Sequence, residues 1–275
     1  MKIIHSVIPA LAGMTGLIFS SLVLAKTFDP PLSLVVKSEV ADIRSKPVPH
    51  TGGYAYDPLQ ETQVEKGDPV VVYERSGKWA RVEAPYQMEY THENNWQGYP
   101  GWILWSALTR DLAQLRDLVP LKIPEDELRS KILEKAELHV GNAYLWGGRS
   151  LFNPKIKSVV TGVDCSGLVN WSFRQCGIAI PRDAHEQFMR ARPIEPKNLN
   201  PADLIFLAKT DDPKKVVHVA FFVKGEELLE APQTGEKVRK ITFKDRFGRT
   251  KDEIKSGDAV GGRIVYFGTL FGVGL

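Results

Sequence analysis

The chain has only two cysteines in 275 residues, Cys165 and Cys176. If both lie on one helix, they are separated by about 16 Å along its axis. That is beyond the reach of a disulfide, so both are expected as free thiols. Two cysteines at this spacing, with six scattered histidines, match no structural zinc pattern. No metal or other cofactor is therefore expected. An excess of one charge is also missing. The net charge of +3 makes no case for a nucleic-acid partner and allows only weak attraction to an anionic polymer. Internal repeats and low-complexity tracts are absent, which excludes a solenoid.

What is present is a folding composition, 43% hydrophobic and 25% charged, with enough length for roughly two domains. Residues 1–25 stand apart. Lys2 is their only charged residue if His5 is neutral, and an apolar run ends in Val23-Leu24-Ala25. This reads as an export signal with a small-residue cut site, or as an uncleaved anchor near spanning length. Pro9, three serines and two glycines weaken the anchor reading. With cleavage, no stable membrane span is expected. No cysteine follows the run, so lipoprotein processing is not indicated. The expected location is periplasmic or extracellular, associated with the cell wall. An exported protein that keeps an unpaired cysteine is expected to use it.

From Leu32 to about Leu108 the signals are β. Leu32 to Val36, Val40 to Arg44, Val70 to Tyr73 and Trp79 to Val82 read as short strands, and Ser76-Gly77-Lys78 as a tight turn. A polar loop is expected over about Pro85 to Gly98, with a last strand at Gly101-Trp102-Ile103. Several short strands in so few residues suggest a small barrel, taken here as residues 30–108. Residues 109–124 read as a linker and 125–275 as a second domain. Pro124 opens a helix with Glu125, Asp126 and Glu127 in its first turn. Leu128, Ile132, Leu133, Ala136 and Val140 make its apolar face, and Gly141 ends it.

Gly162-Val163-Asp164-Cys165-Ser166-Gly167-Leu168 places a cysteine at a helix N-terminus, with Gly177 as the stop. Free backbone N–H groups and the helix dipole there favour thiolate, the reactive form. A nucleophilic cysteine needs a base and a group to orient that base. Of the six histidines, His218 leads an apolar strand and is the candidate base; a strand-edge histidine satisfied by backbone is the alternative. Strands are expected at Leu204 to Leu207, His218 to Val223, Leu228 to Ala231, Val238 to Phe243 and Arg263 to Phe267. A hairpin through Lys224-Gly225-Glu226 brings Glu230 back toward His218. A carboxylate there would hold the ring; Gln233 is the nearby substitute. Cys176 is expected in the core. The layout is α+β, a helix-borne cysteine packed on an antiparallel sheet.

These motifs carry a family resemblance. Tyr144-Leu145-Trp146-Gly147-Gly148, the cysteine heptad, Ile180-Pro181-Arg182-Asp183-Ala184 with Gln187, Pro201 to Phe206 and His218-Val219-Ala220 together resemble the NlpC-type, papain-like cysteine peptidases that cut cell-wall peptides. The resemblance implies Cys165 as nucleophile and His218 as base. The family most often has histidine as third member, where this chain has Glu230. The backbone N–H of Cys165 would supply the oxyanion donor, with Ser166 helping to position it. Glu61-Thr62-Gln63, Gly67-Asp68-Pro69-Val70, Gly77 to Val82 and Gly98 to Trp102 resemble a bacterial SH3-like domain. That combination resembles enzymes cutting the γ-D-glutamyl–diaminopimelate bond of murein peptides with a free N-terminal L-alanine. The resemblance implies that Asp183, Glu61 and Tyr99 bind the ammonium. An acyltransferase or amidase on the same scaffold, or a non-catalytic wall-binding protein, are the alternatives. Oligomeric state and the role of Leu151 to Thr161 are not legible.

Overall fold

A computed structural model describes residues 25–273; the expected export signal lies almost wholly outside them. Among the described residues, no helix is long and apolar enough to cross a membrane. Two antiparallel sheets dominate. The N-terminal sheet contains β1 (Lys26–Val36), β2 (Val40–Arg44), β3 (Gln60–Glu65), β4 (Pro69–Ser76), β5 (Trp79–Glu89), β6 (Gln97–Leu104) and β7 (Leu108–Thr109). Their order is β3-β2-β6-β5-β4-β1-β7. Alternate side chains such as Val70, Val72, Ala80, Val82 and Ala84 close over a common core with Leu34, Val36, Ile43 and Ile103, the period-2 pattern of a half-buried strand.

Two features of this sheet depart from expectation. The edge strand β3 was not legible as a strand, because its buried residues include the polar Gln60, Thr62 and Gln63. They are buried against the second domain, so they never show the apolar alternation that marks a core-facing strand. The expected polar loop over Pro85 to Gly98 is shorter. Strand β5 continues to Glu89 through a register shift between Ala84 and Met88. Its far end pairs outward, with Met88 bridging to Pro181 and accepting from the Arg182 backbone N–H at 2.9 Å.

The second domain packs α1 (Glu125–Glu137), α2 (Cys165–Gln175) and α3 (Ala184–Arg190) against a sheet. The sheet holds β8 (Arg192–Pro193), β9 (Leu204–Ala208), β10 (Val216–Lys224), β11 (Glu227–Glu230), β12 (Arg239–Thr242), β13 (Ala259–Val260) and β14 (Arg263–Thr269). The order is β12-β11-β10-β9-β14-β13, with β8 added to β14. A short helix, α4 (Phe243–Phe247), follows β12. The unbroken apolar runs of β9 and β10 have a simple cause. Leu204, Phe206, Val219 and Phe221 face the helices, while Ile205, Leu207, Ala220 and Phe222 face a second cluster with Phe243 and Phe247. Strands buried on both faces read as continuous hydrophobics. In α1, Ile132, Leu133 and Ala136 are buried, but Val140 lies past the helix end and is exposed.

The two sheets meet across a buried polar seam. Asp68 accepts from Arg174 at 2.9 Å and Arg149 at 3.3 Å. Glu65 accepts from Trp171 Nε1 at 2.9 Å. Gln63 accepts from Ser150 Oγ at 2.7 Å. The residues between Leu151 and Thr161 also dock on the N-terminal domain: Gln63 Nε2 donates to the Val160 carbonyl at 2.6 Å, and Tyr54 to the Thr161 carbonyl at 3.1 Å. Phe152, Ile156 and Val160 line a separate cleft of about 500 Å³ with Val40, Tyr54 and Trp79.

Candidate active site

Cys165 is the first residue of α2, and Asp164 caps that helix, accepting from the Gly167 N–H at 2.6 Å. Such a cap contributes about 1 kcal/mol to the helix. The cap also shapes the loop: Asp164 Oδ2 accepts from the Gly147 N–H at 3.0 Å. Glycine at 167 is required by proximity, since a Cβ there would sit 2.0 Å from the Gly148 carbonyl oxygen. The aromatic-glycine segment and the cysteine heptad are thus two sides of one close backbone contact. Both cysteines are free and buried.

His218 arrives on β10 just after a register irregularity between Val216 and His218. Phe221 pairs with Leu229 and Phe222 with Leu228. Continuing that ladder by one residue sets Glu230 opposite Ala220, which makes His218 its diagonal neighbour on the same face. The side chains meet there, His218 Nε2 lying 3.0 Å from Glu230 Oε2. With Nε2 committed to the carboxylate, Nδ1 is the nitrogen left for the Cys165 thiol, which lines the same groove and acts on the charge of the ring. Burial opposes charge on the ring, but the neighbouring Cys165 thiol and Glu230 carboxylate outweigh it and raise His218 to about 9. Burial pushes Glu230 up, yet His218, Arg246 and Arg239 bring it down to about 2. The side chain of Gln233 is instead bonded to Glu236 at 2.7 Å.

A second cluster joins residues far apart in sequence. Tyr99, on β6, is 2% exposed. Its hydroxyl lies 2.9 Å from Asp183 Oδ2 and 3.3 Å from Glu61 Oε2. One hydroxyl proton serves one acceptor at a time, so the hydroxyl satisfies only one of the two carboxylates, and Arg182 Nη1, 3.5 Å from Asp183 Oδ1, adds a further donor. Burial raises Asp183 above the usual carboxylate range; Arg182 opposes this, while Glu186 and Asp164 add to it. Asp183 keeps 40% of its side-chain surface open. Cys165 and His218 line one groove of about 970 Å³ together with Glu61, Tyr99 and Asp183, and Glu230 lies buried behind the His218 ring. The segment Leu151 to Thr161 contributes nothing to its lining.

Arg182 connects the clusters and was missed as a site residue. Fully buried, it pairs with Asp164 at 2.8 Å and donates to Ser166 Oγ at 2.9 Å. It also donates to Thr62 Oγ1 of the N-terminal sheet at 2.7 Å and stands 3.5 Å from Asp183. Ser166 therefore sits in the support of the cysteine loop. The only sequence signal was a charged residue between Pro181 and Asp183 inside a matching motif. Arg239 and Arg246, which both bond Glu230, were missed too, since nothing local marks an exposed-looking arginine as the partner of a carboxylate. No three His, Cys, Asp or Glu side chains cluster as metal ligands among the described residues.

A helix-borne cysteine facing a strand-borne histidine over an antiparallel sheet defines a papain-like layout, and residues 141–261 match the model of the NlpC/P60 family. Over those residues the chain is similar to that family, whose members include peptidoglycan hydrolases. It is 36% identical over 104 residues to the bifunctional muramidase/DL-endopeptidase CwlT of Bacillus subtilis, covering 38% of this chain and 29% of that protein. Over 244 residues it is 24% identical to the γ-D-glutamyl-L-lysine dipeptidyl-peptidase of the same organism, covering 70% of this chain and 78% of that one. A solved NlpC/P60 family protein from Bacillus cereus superimposes with a TM-score of 0.60 at 19% identity, covering 77% of this chain and 94% of that one. That last likeness extends the shared fold beyond the matched domain.

Proposed function

We propose that this protein is a cysteine endopeptidase that hydrolyses the γ-D-glutamyl–diaminopimelate bond of murein peptides whose N-terminal L-alanine carries a free amine. The observation that carries this reading is the shared groove: the Cys165–His218 pair, backed by the buried Glu230, and the Glu61–Tyr99–Asp183 cluster open into the same space. An ammonium brought into a closed site needs an acidic partner, and this cluster offers two carboxylates around one hydroxyl. The γ-D-glutamyl-L-lysine dipeptidyl-peptidase, similar along most of this chain, acts on a bond of the same type by its name. The chain spans less than a third of the muramidase/DL-endopeptidase it matches, so bond specificity rests on the groove.

In this mechanism His218 and Cys165 form an imidazolium–thiolate pair. The sulfur attacks the γ-glutamyl carbonyl, and the Cys165 backbone N–H at the helix start meets the developing oxyanion. Imidazolium donates its proton to the departing amine, leaving a thioester. The neutral ring then takes a proton from water, hydroxide attacks the thioester, and Cys165 is released. Glu230 fixes the ring and stabilises its charge, a role that a carboxylate fills in other triads. The N-terminal domain contributes Glu61 and Tyr99 to the amine end and excludes acylated stems. Murein peptides are the partner and the cell-wall space the place of action.

The test is incubation with L-Ala-γ-D-Glu-diaminopimelate and its N-acetyl form, followed by mass analysis with Cys165→Ala as control. The free peptide should yield L-Ala-γ-D-Glu and diaminopimelate, and the acetylated one should react at least about tenfold more slowly. Equal rates would sink the free-amine requirement, and no cleavage of either would sink the peptidase.

A further inference from the structure

The groove's lining is divided by charge. Its acidic residues Glu61, Asp183 and Glu186 lie at the amine cluster and Asp164 is paired with Arg182 in the cysteine loop, whereas Lys214, Lys215, Arg246 and Arg263 line the remainder, with Asp212 among them. Three of these cations come from one end of the sheet. Val216 and Ile264 pair with Ala208 from its two sides, so Arg263 and the two lysines flank the end of β9, with Lys214 and Lys215 four and three residues before His218.

Arg246 is built in more firmly than the others. It sits on α4, and its Nε donates to Glu230 Oε2 at 3.0 Å, the oxygen that also faces His218 Nε2 at 3.0 Å. Glu230 Oε1 is already taken by Arg239, at 2.8 and 3.1 Å. A second arginine is therefore not needed to satisfy the carboxylate. Arg246 keeps 26% of its side chain exposed toward the groove. Its two terminal nitrogens have no partner among the described residues, although a guanidinium offers five donors in a fork suited to carboxylates.

We propose that Arg246, seconded by Arg263, reads a free carboxylate on the residue that leaves with the new amine. The inference rests on the proposed hydrolase reading and deepens it. The site is then a two-ended charge gauge: carboxylates receive the substrate's ammonium, and guanidinium groups receive a carboxylate across the scissile bond. Both charges match a short peptide released from its polymer. Because Arg246 also holds Glu230, a bound carboxylate draws on the group that orients the base.

The test compares L-Ala-γ-D-Glu-diaminopimelate with its two single carboxamides, made at the α-carboxyl and at the distal carboxyl of the leaving residue. Turnover by the natural chain and by Arg246→Gln and Arg263→Gln is measured, together with binding to Cys165→Ala by calorimetry. One of the two amides should lose roughly tenfold or more in kcat/KM, and which one identifies the carboxylate that is read. Arg246→Gln removes a charge from Glu230 as well, so it should slow every substrate, but the free acid by a clearly larger factor than the amides, and Arg263→Gln should show the same bias more weakly. Arg246→Lys should restore part of the preference. Equal turnover of the acid and both amides would overturn the inference while leaving the peptidase intact. An Arg246→Gln variant that slows every substrate by the same factor would show a purely supporting role and overturn it as well. If no peptide is cut, the hydrolase reading fails, and calorimetry alone decides whether the carboxylate is recognised.

Discussion

The two clusters in the groove are made in different ways. Cys165, His218 and Glu230 all come from one domain and are set by local rules, a helix cap and a hairpin register. Glu61, Tyr99 and Asp183 come from two domains and meet only because the seam between them holds. The first arrangement can survive small shifts of the N-terminal sheet. The second cannot, since its acceptor atoms lie on both sides of the joint. On the proposed reading, chemistry is built into one domain, and selection of substrate into the contact between two.

Three substitutions sharpen or break that contrast. The largest effect is expected from Glu230→Gln, which keeps the shape and removes the charge: kcat should fall by about a hundredfold or more, with KM little changed. The pH profile gives the sign. His218 is raised from 6.5 to about 9, so its contribution to stability is complete below 6.5 and lost as pH rises through about 9. Activity of the natural chain should fail over that same alkaline limb, and Glu230→Gln should move the limb to lower pH. An unchanged limb would show that another group holds the ring.

Asp183→Asn should act on the other cluster, raising KM for free-amine peptides roughly tenfold and leaving Cys165 alkylation by a small reagent unchanged. A slowed alkylation would mean that the clusters are not separable. Smallest in rate but broadest in reach is Asp68→Asn, which strips the charge shared by Arg149 and Arg174. Breaking this buried pairing should lower stability by about 2–3 kcal/mol, read by thermal or denaturant melting. Selectivity for the free amine should weaken while thiol reactivity persists; loss of both together would place the chemistry in the joint too.

The same contrast explains what the sequence disclosed. Cys165, His218 and Glu230 were visible because their elements carry local signatures: a cap before a helix, a polar residue leading an apolar strand, a hairpin of countable length. The core of the second domain was visible for the same reason. The seam was not. Gln63, Glu65 and Asp68 look like ordinary surface residues, and their burial depends on a partner more than eighty residues away. Tyr99 and Glu61 could be reached only through resemblance, as no spacing links them to Asp183. The end of β5 read as loop because its pairing partner, Pro181, belongs to the other domain.

Arg182 gives the arrangement a further property. One buried guanidinium holds the cap of the nucleophile's helix, touches the serine beside the sulfur, and bonds a threonine of the N-terminal sheet. If that sheet is removed by a nick between the domains, Arg182 loses the hydroxyl on its Nε while remaining wrapped around Asp164. The shortened protein would keep its sulfur but hold it less firmly, and its amine end would stand open. Limited proteolysis would then disarm this protein where it releases many others from inhibition: the N-terminal half is the opposite of a propeptide, a piece that must stay for the blade to remain sharp.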